Sequence, residues 1–260
     1  MKYGFIGCGN MGGAIATALS KATKDILLSD PVKGETLARE LGCAWGSNEE
    51  AAACDRLFLA VKPQVMGAVL EALQPALNKY KPTLITMAAG LEIATIEKFA
   101  GVKLPIIRIM PNTPVAVGKG VIQYCCNELV DEAVIADFLQ DMRYAGLVDA
   151  IDEKLIDAAC SLSGCGPAFA YLFIEALADG AVACGVPRDK ALEYAAATVA
   201  GAAEMVLATG KHPGVLKDAV CSPGGSTIQG VMALEEHGFR GAVMDCVTAA
   251  YQRNKELGKG

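Results

Sequence analysis

Residues Tyr3–Leu19 read YGFIGCGNMGGAIATAL, and the order of events in that stretch decides the fold. A short β-prone run leads into Gly7-x-Gly9-x-x-Gly12, and an apolar, small-residue stretch of helical character follows at once. In a strand–turn–helix unit each glycine has its own task. Gly7 permits the tight turn, Gly9 lets the backbone approach a pyrophosphate, and Gly12 lets the helix pack close to the strand. The first N–H groups of the helix then face the phosphates. A glycine-rich turn alone would explain the glycines but not the strand before and the helix after, so the stretch is read as dinucleotide-binding.

Outward from it, β-rich runs alternate with helical ones. Strands are expected at Tyr3–Ile6, Ile26–Ser29, Arg56–Val61, Thr83–Met87 and Ile106–Met110, with stretches such as NMGGAIATALSK and PQVMGAVLEALQPAL between them. Apolar strands alternating with helices predict a doubly wound α/β domain, its parallel sheet covered on both faces. After GLVDAID (146–152) strand signals stop, and four or five helices are expected to the end of the chain. Two domains follow from this change: a Rossmann-type dinucleotide-binding domain over 1–152 and an all-α domain over 153–260. Pro167 and Pro187 sit where helices begin, and Gly185 and Gly210 where they end. The stretch PRDKALEYAAATVAGAAEMVLATG is apolar on nearly every face. So few helices seldom enclose such an element, which predicts a homo-oligomer formed through this half.

Composition narrows the function. The chain has 23 Lys plus Arg against 29 Asp plus Glu, a net charge of −6, and no basic stripe for a phosphate backbone, so nucleic acid is not an expected partner. Ten cysteines are scattered without a C-x-x-C pair, and two histidines offer no zinc template; reduced thiols in apolar surroundings, Cys8, Cys43, Cys54, Cys160, Cys184 and Cys246 among them, are expected, and no metal. The N-terminal stretch imitates a signal peptide, but Gly4, Gly7, Gly9, Gly12 and Gly13 break its apolar run, so it is read as mature structure. SGCGP interrupts the apolar stretch 158–174, which argues against a membrane span. A soluble, cytoplasmic protein is expected.

Ligands of open α/β sheets bind beyond the carboxyl ends of the strands. Asp30, after the second strand, stands where an acidic residue bonds the ribose 2′-hydroxyl of NAD. Ser29 and Lys33 could instead receive a 2′-phosphate, which Asp30 would repel, and a simple Asp30–Pro31 turn would also account for the residues. Ala60, Val61, Lys62 and Pro63 end the strand of LAVKPQ and should line the crevice, with Lys62 either a catalytic group or, the reading preferred, an ordinary solvated lysine at a helix start. Met87, Ala88 and Ala89 and the MPNTP loop (110–114) lie at the same edge by the same logic. LSGCGP (162–167) reads either as a helix-entry turn or as a low-bulk pocket wall. His212 belongs to a turn. No hydrolase elbow, P-loop or carboxylate pair is visible, so the hard chemistry falls to a cofactor. SPGGSTIQG (222–230) is a glycine-rich loop feeding a helix, a place where backbone N–H groups can hold an anion.

With GFIGCGNMGGAI, LFLAVKPQ, NTPVAVGKG, LIDAACSLSGCGPAF and HPGVLKDAVCSPGGSTIQGVMALEEHGFR in place, the chain resembles the pyrroline-5-carboxylate reductase family nearly end to end. LKDAVCSPGGSTIQGVMALE looks like the family's signature and is far more specific than the glycine fingerprint. The resemblance implies a Rossmann domain joined to an interlocking helical domain. It also implies reduction of 1-pyrroline-5-carboxylate to L-proline, the last step of proline synthesis, with NADPH or NADH. Such an enzyme is expected to work as a homodimer, with a larger ring such as a decamer open. Carried over, the cofactor positions are Ile6, Gly7, Cys8, Gly9, Asn10, Met11 and Gly12, then Ser29 and its neighbour Asp30, Asn48, Ala60, Val61, Lys62, Pro63, Met87, Ala88 and Ala89. On the substrate side the donor to the ring nitrogen falls on Thr227. Ser222, Gly224, Gly225 and Ser226 fall in the loop that holds the substrate carboxylate, and Glu153 matches a position near the nicotinamide in some relatives. Asp30 stands where animal members have a serine-rich loop, and Gly210 and Ala219 replace polar residues of those members. A related β-hydroxy acid dehydrogenase would bring a catalytic lysine at a glycine-rich helix start in the helical half, where this chain has none.

Overall fold

The computed structural model describes residues 2–257. Contacts divide them into two units, residues 2–165 with 250–257, and residues 166–249. The sequence changes texture earlier, after 152, because the short turn 153–155 and the helix after it remain with the sheet.

The first unit is built on a sheet of eight strands. β1 (Tyr3–Ile6), β2 (Ile26–Ser29), β3 (Ala44–Trp45), β4 (Arg56–Leu59), β5 (Thr83–Thr86), β6 (Ile106–Pro111), β7 (Gly120–Cys126) and β8 (Gly146–Ala150) lie in the order β3-β2-β1-β4-β5-β6-β7-β8. Neighbours from β3 to β6 pair in parallel; β7 reverses against β6, and β8 runs parallel to β7. The five expected strands are present with slightly shifted ends. β3, β7 and β8 were not foreseen. β3 is only two residues long, and β8 leaves most of its residues at least partly exposed, so neither carries an apolar run.

Alternation along the strands sends side chains to both faces, and both faces are apolar. On β4, Phe58 joins one core with Phe5, Ile15, Ile85 and Ile107, while its neighbours Leu57 and Leu59 join the other with Met66, Leu70 and Leu84. α1 (Asn10–Leu19), α2 (Gly34–Leu41) and α6 (Glu132–Met142) supply side chains to the first core. α3 (Asn48–Ala52), α4 (Pro63–Tyr80) and α5 (Ile93–Ala100) supply the second. A sheet buried on both faces needs such runs, which is why these strands were legible.

From Ile156 onward the described residues form six α-helices, more than expected: α7 (Ile156–Ser163), α8 (Gly166–Ala183), α9 (Arg188–Thr209), α10 (Pro213–Ala219), α11 (Ser226–Glu236) and α12 (Phe239–Leu257). In the second unit α8 and α9 meet through Ala178, Ala191 and Ala195, small enough to let the backbones approach. Their other faces are uncovered: Tyr171 and Leu172 on α8, and Leu192, Tyr194, Met205 and Leu207 on α9, are exposed. An apolar groove of about 610 Å³ is lined by Leu172, Phe173, Leu177, Leu234, Phe239 and Val243. The SGCGP interruption is slight, since Gly164 keeps helical dihedrals, and both the 153–183 and 188–209 segments are long and apolar enough to cross a membrane by length and composition. No disulfide joins any of the ten cysteines; Cys184, expected in apolar surroundings, is exposed. Among the described residues no cluster of three or more His, Cys, Asp or Glu side chains could hold a metal.

Candidate active site

The strand order turns the scattered sequence positions into neighbours. The chain runs outward from β1 to β2 and β3, then returns to place β4 on the other side of β1, so the topological switch lies between β1 and β4. At that edge the Gly7 N–H bonds the Ser29 carbonyl at 2.8 Å and the Ala60 N–H bonds the Ile6 carbonyl at 2.9 Å. The loops Ile6–Gly12, Ser29–Asp30, Ala60–Pro63 and Met87–Ala89 thus leave adjacent strands at one end of the sheet. Lys62 precedes α4, exposed, with Pro63 as the first helical residue.

The three glycines differ in their surroundings. Gly7 has φ +96°, and a Cβ there would lie 2.6 Å from the Ala60 carbonyl oxygen. At Gly12 a Cβ would meet the Gly7 oxygen at 2.4 Å and the Ala60 Cβ at 2.7 Å, whereas at Gly9 it would meet nothing within 4 Å. Two glycines therefore seat the helix against the strands, and the third leaves an open approach. The first i→i−4 bond of α1 runs from the Gly13 N–H to the Gly9 carbonyl at 2.8 Å. The N–H groups of Asn10, Met11 and Gly12 precede it and have no acceptor within the helix. A pyrophosphate fits this arrangement: bare backbone, donors and the positive helix end.

The second strand ends in a polar knot. The Ser29 hydroxyl donates to Asn48 Oδ1 at 2.7 Å, which draws the start of α3 beside the end of β2. Asp30 Oδ2 accepts the Cys8 N–H at 2.8 Å, and Oδ1 accepts the N–H groups of Val32 at 2.9 Å and Lys33 at 2.8 Å. Burial alone would raise the Asp30 carboxyl, but the donors of Cys8, Lys33 and Val32, with the Lys33 charge, hold it below its usual range. Asp30 thus shapes the turn after β2 and ties it to the glycine loop. A cavity of about 370 Å³ is lined by Cys8, Gly9 and Asn10 from one side and Val32 and Lys33 from the other.

Two groups of polar side chains in the same unit were not anticipated. Arg108, on β6 and 1% exposed, pairs with Glu153 at 3.0 Å and Asp157 at 3.4 Å, and Glu153 Oε1 also accepts the Ile93 N–H at 2.7 Å. Glu153 is thereby an anchor for the start of the helical segment. Asn112, in the MPNTP loop, donates to the Ser163 carbonyl at 2.9 Å and accepts the Val121 N–H at 2.8 Å. Gln123 reaches the Ser163 hydroxyl at 2.8 Å. The LSGCGP turn is tied to the sheet through Ser163. The lone arginine in IIRIM was the available signal, since an ionised group in a doubly buried strand needs a partner.

In the helical unit, α11 begins at Ser226 with Gly225 as its cap. The Gly225 N–H closes a turn on the Ser222 carbonyl at 3.0 Å, and Gly224 has φ +69°. A Cβ on Gly225 would lie 2.4 Å from the Ser222 hydroxyl oxygen, so a side chain there would have to turn that hydroxyl away. Of the loop N–H groups first considered for an anion, that of Gly225 is consumed by the turn. Those of Ser226 and Thr227 lie in the first turn of α11, where no helical acceptor is available. Ser222, Gly224, Ser226 and Thr227 are exposed within the chain. His212 caps α10, its Nδ1 accepting the Gly214 N–H at 3.1 Å.

Comparison with known proteins divides the chain in a similar way. Residues 153–257 match the family described as pyrroline-5-carboxylate reductase dimerisation, and residues 2–90 match NADP oxidoreductase coenzyme F420-dependent. The chain is 41% identical to the Escherichia coli pyrroline-5-carboxylate reductase, covering 99% of this chain and 98% of that one. It is similar to the Coxiella burnetii pyrroline-5-carboxylate reductase with a TM-score of 0.90 and 34% identity, covering 98% of each chain. It is likewise similar to a Plasmodium falciparum pyrroline carboxylate reductase crystallised with NADP bound, with a TM-score of 0.88 and 36% identity over 99% of this chain and 98% of that one.

Proposed function

The chain belongs to the pyrroline-5-carboxylate reductase family, and from that premise we propose which of its residues carry the reaction. The enzyme reduces 1-pyrroline-5-carboxylate to L-proline with NADPH or NADH, and it forms an oligomer through its helical part. A nicotinamide held by the enzyme would supply a hydride to the carbon of the C=N bond, with the ring nitrogen taking a proton. Gly7, Gly9 and Gly12 give the dinucleotide its bare backbone. Ile6, Cys8, Asn10, Met11, Ser29, Asp30, Asn48, Ala60, Val61, Lys62, Pro63, Met87, Ala88 and Ala89 form the rest of its site.

In the helical unit the substrate carboxylate takes the N–H groups of Ser226 and Thr227, with Ser222, Gly224 and Gly225 shaping the loop around a small ring. The observation that carries this assignment is the start of α11, where a glycine turn presents unused helix donors and the Thr227 hydroxyl together. Thr227 hydrogen-bonds the ring nitrogen through its hydroxyl, and the proton that the nitrogen gains comes from solvent. An imine is protonated near neutral pH with modest help, so positioning matters more than a strong acid, and the lack of other acid–base groups in the loop is consistent with that. The working unit is a homodimer in the cytoplasm, open to assembly into a larger ring. Nucleic acid and membrane have no part in it, the apolar faces of α8 and α9 being covered by a second copy.

Thr227→Ala should lower kcat about a hundredfold, with Thr227→Ser restoring most of it. Unchanged turnover of 1-pyrroline-5-carboxylate by Thr227→Ala would remove Thr227 from the reaction.

A further inference from the structure

We infer that this enzyme discriminates against a 2′-phosphate on the adenosine ribose and so prefers NADH over NADPH, with Asp30 as the residue that sets the preference. The inference rests on the proposed dinucleotide site and adds a choice of ligand to it. Asp30 follows β2, the position from which an acidic side chain reaches the ribose hydroxyls in sheets of this kind.

Its hydrogen bonds say what it has left to offer. A carboxylate has about four acceptor sites, and the N–H groups of Cys8, Val32 and Lys33 occupy three of them. About one site remains, enough for one ribose hydroxyl to donate to. A phosphate dianion has no hydrogen to give and meets the carboxylate as a like charge.

The backbone donors of the turn and the Ser29 hydroxyl are committed as well. Backbone N–H groups of a turn after β2 are the sort that could cradle a 2′-phosphate, but those of Val32 and Lys33 already hold the Asp30 carboxylate. In effect the protein fills this small anion site with an anion of its own. The Ser29 hydroxyl spends its one hydrogen on Asn48 Oδ1 at 2.7 Å. Within the segment 29–34 that leaves the ammonium of Lys33, exposed, against a carboxylate fixed by backbone bonds. The fixed charge decides.

Binding tests this without turnover. Trp45 is the chain's one tryptophan, and a Cβ on Gly34 would lie 2.9 Å from its Cδ1, so its indole sits on the start of α2 beside this turn. Quenching of its fluorescence should report NAD⁺ binding tighter than NADP⁺ by about tenfold or more. Initial rates with 1-pyrroline-5-carboxylate should favour NADH over NADPH in kcat/KM to a similar degree. Asp30→Ser removes the charge while keeping an acceptor for the turn, and should move both ratios toward the phosphorylated dinucleotide by about tenfold. Asp30→Asn supplies the same comparison if the serine variant does not fold. Equal or tighter binding of NADP⁺ by the wild type, or ratios unmoved in the folded variants, would overturn the inference. Selective NAD⁺ binding without oxidation of either reduced dinucleotide would uphold the preference while overturning the reductase reading. Binding of neither dinucleotide would overturn both.

Discussion

On β4 the Phe58 side chain is wholly buried, its ring stacked 4.3 Å from that of Phe5, while on α9 Leu207 is 76% exposed in a helix rich in apolar residues. The two regions are comparably apolar in sequence and differ in what their geometry lets them cover. A parallel strand has two apolar faces, and the helices that connect such strands must cross those faces, so the sheet unit encloses its core in the act of being connected. α8 and α9 have no sheet to cross. They meet along a seam of alanines and leave Tyr171, Leu172, Leu192 and Met205 uncovered. Small helical units bury too little of their surface alone, and a second copy is the cover we propose, consistent with the match of residues 153–257 to a dimerisation family. On the proposed reading, the sheet unit stands by itself and the helical unit depends on assembly.

The largest effect should come from charging the uncovered face. Leu172→Glu places a carboxylate where α8 needs apolar cover, and burying an unpaired charge costs several kcal/mol. Light scattering should show the mass falling to that of one chain, 27.0 kDa, with loss of reductase activity and retention of dinucleotide binding by the sheet unit. An unchanged mass would break the comparison, since the exposed face would then not be an interface. The reverse experiment is Phe58→Ala. Removing a ring that touches both Phe5 and Tyr3 should cost the sheet unit about 3–5 kcal/mol, read as a lower urea midpoint that does not depend on protein concentration. A midpoint that does vary with concentration would mean the sheet unit also leans on assembly.

The contrast explains what the sequence could show. Strands buried on both faces announce themselves by apolar runs, and the glycine fingerprint places the dinucleotide because each glycine answers a local steric demand. β7 and β8 escaped because they lie toward one edge of the sheet, reverse its direction and carry polar residues such as Gln123 and Asp149. Arg108 was in view as a residue but not as a function, since Glu153 and Asp157 lie far along the chain and only the fold brings them to it. Asn112 and Ser163 were hidden for the same reason. Thr227 is a different case. A glycine turn before a helix is common, and its chemical role came from the resemblance; the structure adds that Gly225 sits against the Ser222 hydroxyl and that its N–H is already in use.

The smallest expected effect sharpens the division between the units. Ser47 caps α3 in a reciprocal box: its hydroxyl accepts the Glu50 N–H at 3.2 Å, and Glu50 Oε2 accepts the Ser47 N–H at 2.8 Å. Ser47→Ala should cost about 1 kcal/mol, the usual worth of such a cap. Because Asn48 begins the same helix and holds the Ser29 hydroxyl, a weaker dinucleotide affinity should accompany the loss, with no change in the assembled mass. The pH dependence has a definite sign. The N–H and hydroxyl of Ser47 hold the Glu50 carboxyl below its ordinary range, so the box is fully formed above the unfolded glutamate value of about 4.3 and is lost as pH falls through the lower folded value. The stability gap between wild type and Ser47→Ala should therefore be constant near neutrality and narrow in acid below about pH 4. A gap that widened in acid would mean that the Glu50 carboxylate strains the helix start instead of closing it.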